Sequence, residues 1–273
     1  MTTFQAIIYG ITQGFSFFLP ISASAHRMFV PYLLNWPEPT NALLAAIYLG
    51  GAVALLVYFI HDWASIISSF LQVILFRRKP MTLDERLPIF LLFTGIPLIL
   101  AYFYLVPMIE RVDWSPGLVA IVLAAGGLPL LFTERGSRKN KGMFDWNWVD
   151  AFLLGIGGIF MFIPGGGQLA GFVPAALVRN YNREAAVKYS FFAMFPIFAI
   201  CAYVHLHKMA HIGPGPELSW LSFGTAAVVS FVFSLLAIGG LTKHVLRNGF
   251  GQYVIYRFLL AAAVGGMIWV RNR

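Results

Sequence analysis

Two hydroxyls and an imidazole stand at alternate positions in Ser22-Ala23-Ser24-Ala25-His26, with Arg27 next in line. Serine and histidine are residue types used for nucleophilic and general acid–base chemistry, and a neighbouring arginine suits an anionic substrate. Far along the chain, Pro164-Gly165-Gly166-Gly167-Gln168 offers a complementary chemistry. Glycine has no Cβ, so backbone N–H groups in such a run can approach an anion closely. Together the two clusters make a phosphate cradle, with His26, Ser22 and Ser24 as the catalytic candidates and Gly165, Gly166, Gly167, Gln168 and Arg27 as the phosphate-binding ones. The same residues also admit a structural use, with glycines for close helix packing and serines bonding back to their own helices. Spacing alone does not separate the two uses.

Whatever positions these residues is built in a membrane. Of 273 residues, 59% are hydrophobic and 11% charged, against about 25% charged in a soluble domain. A water-soluble globule is excluded. Apolar stretches at about 41–60, 87–107, 117–133, 188–206, 219–242 and 252–270 each approach the length a helix needs to cross about 30 Å of hydrocarbon. The fold class is all-α and polytopic. Both chemical clusters fall in two further apolar stretches, about 4–34 and 149–178, which are interrupted by Pro20, Ser22, Ser24, His26 and Pro31, and by Pro164 to Gln168 and Pro174. A break frees backbone N–H and C=O groups that lipid cannot satisfy, so it must be shielded by protein or line a wet cavity. Each stretch reads as a broken or re-entrant helical hairpin, with a kinked span as the plainer alternative. Paired breaks in two halves point to a site near the bilayer centre of an inverted repeat.

The formal charge of +8 is accounted for by topology. If 149–178 turns back on itself, the basic groups Arg77 to Arg86, Arg135 to Lys141, Arg179 to Lys188, and Lys243 with Arg247 all fall on one side, which should be cytoplasmic. The first hairpin then enters from outside and the second from inside, within a single integral membrane domain 1–273 with pseudo-repeats of about 1–130 and 131–273. Arg271 and Arg273 come out on the outer side, against the charge rule. No nucleic-acid partner is implied, since anionic headgroups and topology account for the basic excess. The run Phe4 to Leu19 before Ala23-Ser24-Ala25 has the outline of a signal peptide, but Met1 to Thr3 contain no Lys or Arg. Cys201 has no second cysteine to pair with. His205, His207 and His211, followed by Gly213-Pro214-Gly215-Pro216, read as an interfacial cap rather than a zinc site. Trp36, Trp63, Trp114, Trp146, Trp148 and Trp220 read as interfacial anchors. The hairpins are read as free of Asp and Glu, hence without a site for a hard metal.

The run Gln13-Gly14-Phe15-Ser16-Phe17-Phe18-Leu19-Pro20-Ile21-Ser22-Ala23-Ser24-Ala25-His26 occupies the frame EGxxEFLPVSSTGH, and Pro164 to Ala170 that of PGxSRSG. In these motifs the chain resembles the bacterial undecaprenyl pyrophosphate phosphatases of the bacitracin-resistance type. The likeness continues through Leu49-Gly50, Ile96-Pro97, Arg183 to Pro196 and Tyr256-Arg257, so it spans nearly the whole chain in order. It implies an interdigitated inverted repeat in the bacterial inner membrane and a lipid carrier of cell-wall synthesis as substrate. It also implies glutamates linked to metal and catalysis, but Gln13 and Phe17 stand at their positions, and Gly167 and Gln168 replace the second motif's serine and arginine.

Phosphoryl transfer rests on positioning and electrostatics, and one transition-state arginine is worth about 10³–10⁵ in rate. The expectation is therefore a protein that binds or translocates a polyprenyl phosphate or pyrophosphate with little or no hydrolysis. The alternative is an undecaprenyl-diphosphate phosphatase with a rebuilt, metal-independent site using His26, Ser22 and Ser24. No cofactor is expected. Arg179 and Arg257 are further cationic candidates whose distance from the site is not readable in sequence. Membrane lipids are the other expected partners, and a homodimer is compatible with the layout.

Overall fold

The computed structural model describes residues 1–212 and 219–271, and its regular elements are helices. The chain begins with α1 (Thr3–Phe18) and α2 (Ala23–Leu34), then α3 (Asn41–Tyr58), α4 (Ile60–Leu75) and α5 (Leu83–Tyr104). A short α6 (Val106–Ile109) precedes α7 (Pro116–Ala125) and α8 (Gly127–Gly136). Next come α9 (Trp148–Gly158), a 3₁₀ turn (Ile159–Phe162) and α10 (Gln168–Val178). Three long helices close the chain, α11 (Arg183–Ile212), α12 (Trp220–Asn248) and α13 (Gly251–Arg271).

Six segments are long and apolar enough to cross a membrane: α3, α5, α7 with α8, α11, α12 and α13. They coincide in place with the six expected spans, with three differences. The stretch 117–133 is two helices that meet at Gly126. The segment after Tyr58 is a further helix, α4, with only Trp63 and Ile66 buried, so it lies along the bundle rather than forming a loop. The last helices also run beyond their expected ends, α11 over Arg183–Ile212 and α12 to Asn248. Gly213 to Pro216 and Arg273 lie outside the described residues.

Local chemistry sets the boundaries. Thr2 with Gln5 and Thr82 with Glu85 form reciprocal caps at the starts of α1 and α5, and Thr40, Ser115 and Ser219 cap α3, α7 and α12 through their hydroxyls. Asn35, in the left-handed conformation, ends α2. Small residues let helices approach closely, as they do inside bilayers: Gly14 of α1 faces the Ser230 carbonyl of α12, where an added Cβ would lie at 2.9 Å.

Both interrupted stretches are hairpins whose ends lie together. In the first, the Trp36 ring contacts Phe4 and Tyr9, and the Tyr9 hydroxyl donates to the Pro37 carbonyl at 3.4 Å. In the second, the loop before α9 meets the loop after α10: Lys141 N–H donates to the Asn180 carbonyl at 3.0 Å, and Asn182 N–H to the Lys141 carbonyl at 2.7 Å. Reading the second hairpin as free of acids overlooks Asp150, which sits buried at its mouth and takes Lys141, Arg179 and the Tyr181 hydroxyl. Further ion pairs, Arg183–Glu134 and Lys188–Asp62, hold several of the basic loops at one end of the bundle. At the other end Arg271, the exception to the charge rule, donates to the Tyr32 carbonyl at 3.0 Å and lies over the Tyr32 ring.

Candidate functional site

The breaks of the two hairpins face each other. Between α1 and α2, Leu19 to Ser22 leave the helical path, and Ser22 takes φ 72°, a left-handed value that is unusual for a residue with a side chain. Between the 3₁₀ turn and α10, Gly165 and Gly167 have φ 91° and 94°. A Cβ at Gly167 would stand 2.9 Å from the Ser22 Cα, so both the conformation and the close approach require glycine there. Backbone strain of this kind persists only where its surroundings over-determine it. Here two turns press on one another.

Ser22 and Ser24 knit the turns together. Gly165 N–H donates to Ser24 Oγ at 3.1 Å, Ser24 Oγ lies 3.2 Å from Ser22 Oγ, and Ser22 Oγ accepts from Ala25 N–H at the start of α2. Gly166 N–H is likewise engaged, by the Ile163 carbonyl at 2.8 Å. The α10 N-terminus, by contrast, has no side-chain cap on its first amides. Two helix N-termini, those of α2 and α10, therefore converge where the turns meet. Each carries partial positive charge from its unsatisfied N–H groups, which favours an anion between them.

His26 stands one turn into α2, half-buried. Its Nδ1 lies 2.8 Å from the Ser22 carbonyl and its Nε2 2.7 Å from the Tyr256 hydroxyl, with the two rings parallel. A carbonyl only accepts, so Nδ1 carries the proton and Nε2 accepts from Tyr256. That tautomer leaves the Nε2 lone pair covered by the Tyr256 hydroxyl.

Arg257, next to Tyr256 on α13, is fully buried. Its guanidinium donates to the Leu123 carbonyl at 2.7 Å, Pro20 at 3.3 Å, and Gly165 and Gly166 at 3.0 Å each. These carbonyls lie at the C-terminal ends of α1 and of the 3₁₀ turn, and near the junction of α7 and α8. Such ends expose unpaired carbonyls with negative partial charge. One cation thus caps three breaks, and Gly126 is glycine because a side chain there would run into the guanidinium and Phe160.

The remaining candidates divide. Gln168 is buried at the first position of α10. Gln13 donates its side-chain amide to the Ala23 carbonyl at 3.2 Å, tying α1 to α2. Phe17 packs in an aromatic cluster with Tyr48 and Phe198, ring centroids 5.0 and 4.7 Å away. Neither offers a carboxylate to a metal. Arg179 is bound to Asp150 at the hairpin mouth. Arg27 follows His26 on α2, and adjacent residues of a helix point to different faces. His205 turns to Asn41, while His207 and His211 stack on each other at 4.2 Å, and among the described residues no three His, Cys, Asp or Glu side chains converge.

Sequence reasoning had no spacing that would bring Tyr256 to His26. For Arg257 a signal exists, since an arginine inside an apolar run is costly in hydrocarbon and implies partners.

Residues 6–263 match the protein family described as bacitracin resistance protein BacA. The chain is 32% identical over 272 residues to the undecaprenyl-diphosphatase of Moorella thermoacetica, covering all of both chains. It is 31% identical to that of Chlorobaculum parvum over 98% of each chain, and 34% identical to that of Caldicellulosiruptor bescii over 97% of each.

Proposed function

The chain belongs to the bacitracin resistance protein BacA family, and from that premise we propose that it receives the phosphate head of a polyprenyl phosphate or diphosphate between its two broken hairpins, binding or translocating the lipid with little or no hydrolysis. It is a multi-pass protein of the bacterial inner membrane. The reading rests on the convergence of the α2 and α10 N-termini at Ser22 and Gly167. Free amides of the first α10 turn and the Ser22 and Ser24 hydroxyls suit phosphate oxygens, and Arg257 holds the turns without meeting the ligand directly. A family-type divalent metal does not fit the two motif positions, where an amide is committed to the Ala23 carbonyl and a phenyl ring is buried in an aromatic cluster.

One observation favours the second reading, in which hydrolysis survives: the His26 tautomer aims a lone pair at Tyr256. Attack of Nε2 on the terminal phosphorus would expel polyprenyl monophosphate, and water would then cleave the N–P bond to release inorganic phosphate. Phosphate release from undecaprenyl diphosphate, with and without divalent metal, separates the two readings. The expected result is background release by the wild-type protein, with the lipid recovered intact. Wild-type release that vanishes in His26→Ala would instead establish the phosphatase.

A further inference from the structure

A phosphate head carries negative charge, and the two turns that would receive it, 19–22 and 163–167, contain no cationic residue. Gly167 and Gln168 stand where the family motif has serine and arginine, and Arg179 is bound to Asp150 at the hairpin mouth. Arg257 directs its guanidinium at the carbonyls of Leu123, Pro20, Gly165 and Gly166. Helix N-termini supply partial positive charge, and the side chain beside the turns that can gain a whole one is His26. Its partner is informative. Nε2 lies 2.7 Å from the Tyr256 hydroxyl of α13, and the two rings are parallel to within 6° at 5.8 Å.

The pair can take up a proton without moving a heavy atom. Nδ1 donates to the Ser22 carbonyl at 2.8 Å in either protonation state, because a carbonyl only accepts. A proton added at Nε2 donates to the phenol oxygen across the same 2.7 Å, since a phenol both donates and accepts. The phenol hydrogen is then released to another acceptor. Tyr256 is 40% exposed whereas Arg257 beside it is fully buried, so the pair stands at the rim of the crevice and not in its dry interior. Around the imidazole, Ser22 and Ser24 of its own turn, Gln13 of α1 and the run Pro164 to Gln168 bring no charge. Helix α7 packs on α2 through Val119, Ala120 and Leu123, and Arg27, next along α2, points to another face. Arg257 already places one positive charge at these turns, so a second arrives together with an anion that offsets it.

We propose that His26 and Tyr256 act as one unit that takes up a proton when a phosphate head enters the crevice. The proton comes from solution and settles on Nε2, Nε2–H donates to the phenol oxygen, and the phenol O–H donates to a phosphate oxygen. No bond to phosphorus forms or breaks. Tyr256 is then a binding residue of the crevice, and His26 its source of a full positive charge. This coupling rests on the reading of the crevice as a phosphate site, given above. It also accounts for little or no hydrolysis there, since a protonated imidazole has no lone pair with which to attack phosphorus. By linkage, an anion that draws a proton onto His26 is itself bound more tightly as pH falls.

The test is equilibrium binding of farnesyl diphosphate to the detergent-purified full chain at about pH 8 and about pH 6, on either side of the ordinary histidine range, for wild type, His26→Gln and Tyr256→Phe. Titration of the diphosphate itself is common to all three and cancels in their ratios. Glutamine cannot gain a charge, and phenylalanine keeps the ring beside His26 while removing the hydroxyl. Between the two pH values the wild-type affinity is expected to rise about tenfold more than that of His26→Gln, and Tyr256→Phe to lose most of that extra rise. A Tyr256→Phe variant that weakens binding equally at both pH values would show a merely structural tyrosine and overturn its role. That profile decides the matter if His26→Gln does not fold. Parallel pH profiles in all three proteins would overturn the proton coupling and leave the phosphate crevice standing. Absence of binding by wild type at both pH values would overturn the crevice as well.

Discussion

At the scale of single residues, Arg257 decides whether the centre of the molecule exists. Its four carbonyl partners come from three separate breaks, and each would be an unpaired acceptor in a dry interior without it. Arg257→Gln is therefore expected to cost about 3 kcal/mol or more, seen as a lower melting temperature in detergent. Arg257→Lys should not rescue it, because an ammonium is a point charge whose three donors do not reproduce the guanidinium's planar spread. A lysine variant that melts with wild type would show that charge, not geometry, matters here. Sequence reasoning had placed Arg257 among the cationic candidates but had no means of telling that it binds carbonyls instead of substrate. Asp150 escapes a reading built on Pro and Gly because it stands at the hairpin's mouth and not at its break.

At the scale of elements, the facing turns depend on glycine and the hairpin mouth on a buried carboxylate. Gly167→Ala should be strongly unfavourable, since φ 94° and the contact with Ser22 are both refused by a Cβ; a cost of about 1–3 kcal/mol is expected. Gly136→Ala is the control, because nothing lies within 4 Å of its added methyl. A melting experiment on both variants in which the two behave alike would contradict the packing of the turns. At the mouth, burial alone would raise the Asp150 carboxyl, but hydrogen bonds from Tyr181, Arg179 and Lys141 outweigh it and hold it below the usual carboxylate range. A group bound less tightly to protons in the folded state than in the unfolded one, where its pKa is about 3.9, stabilises the fold above that value and stops doing so as pH falls through the folded pKa. The melting temperature of the wild-type protein should fall below about pH 4 more steeply than that of Asp150→Asn, and parallel curves would contradict this role. Both hairpins were legible from proline and glycine inside apolar runs, because a broken backbone needs those residues. The division of 117–133 at Gly126 was not, since its cause is a side chain more than a hundred positions away. Helix α4 escaped because a helix resting on the bundle needs only two buried positions, Trp63 and Ile66, and leaves no span-length apolar run.

At the scale of the whole molecule, six helices long and apolar enough to cross a membrane accompany two hairpins, ion pairs hold several of the basic loops together, and the breaks that precede α2 and α10 meet at Ser22 and Gly167. Charge distribution and hydropathy made that frame readable from sequence, because a bilayer constrains length and sign more tightly than water does. The side chains that fill the frame follow no such rule: Tyr256 reaches His26 only through the packing of distant helices. The central claim is that the crevice reads the phosphate head of its lipid. The measurement that tests it most directly is the affinity of the purified protein for undecaprenyl diphosphate compared with undecaprenol, which shares the chain and lacks the charge. Two converging helix N-termini are expected to favour the diphosphate by roughly tenfold or more, and Gly167→Ala to remove the preference. Equal affinity for the alcohol and the diphosphate would mean that the hairpins hold a hydrocarbon chain and not a phosphate.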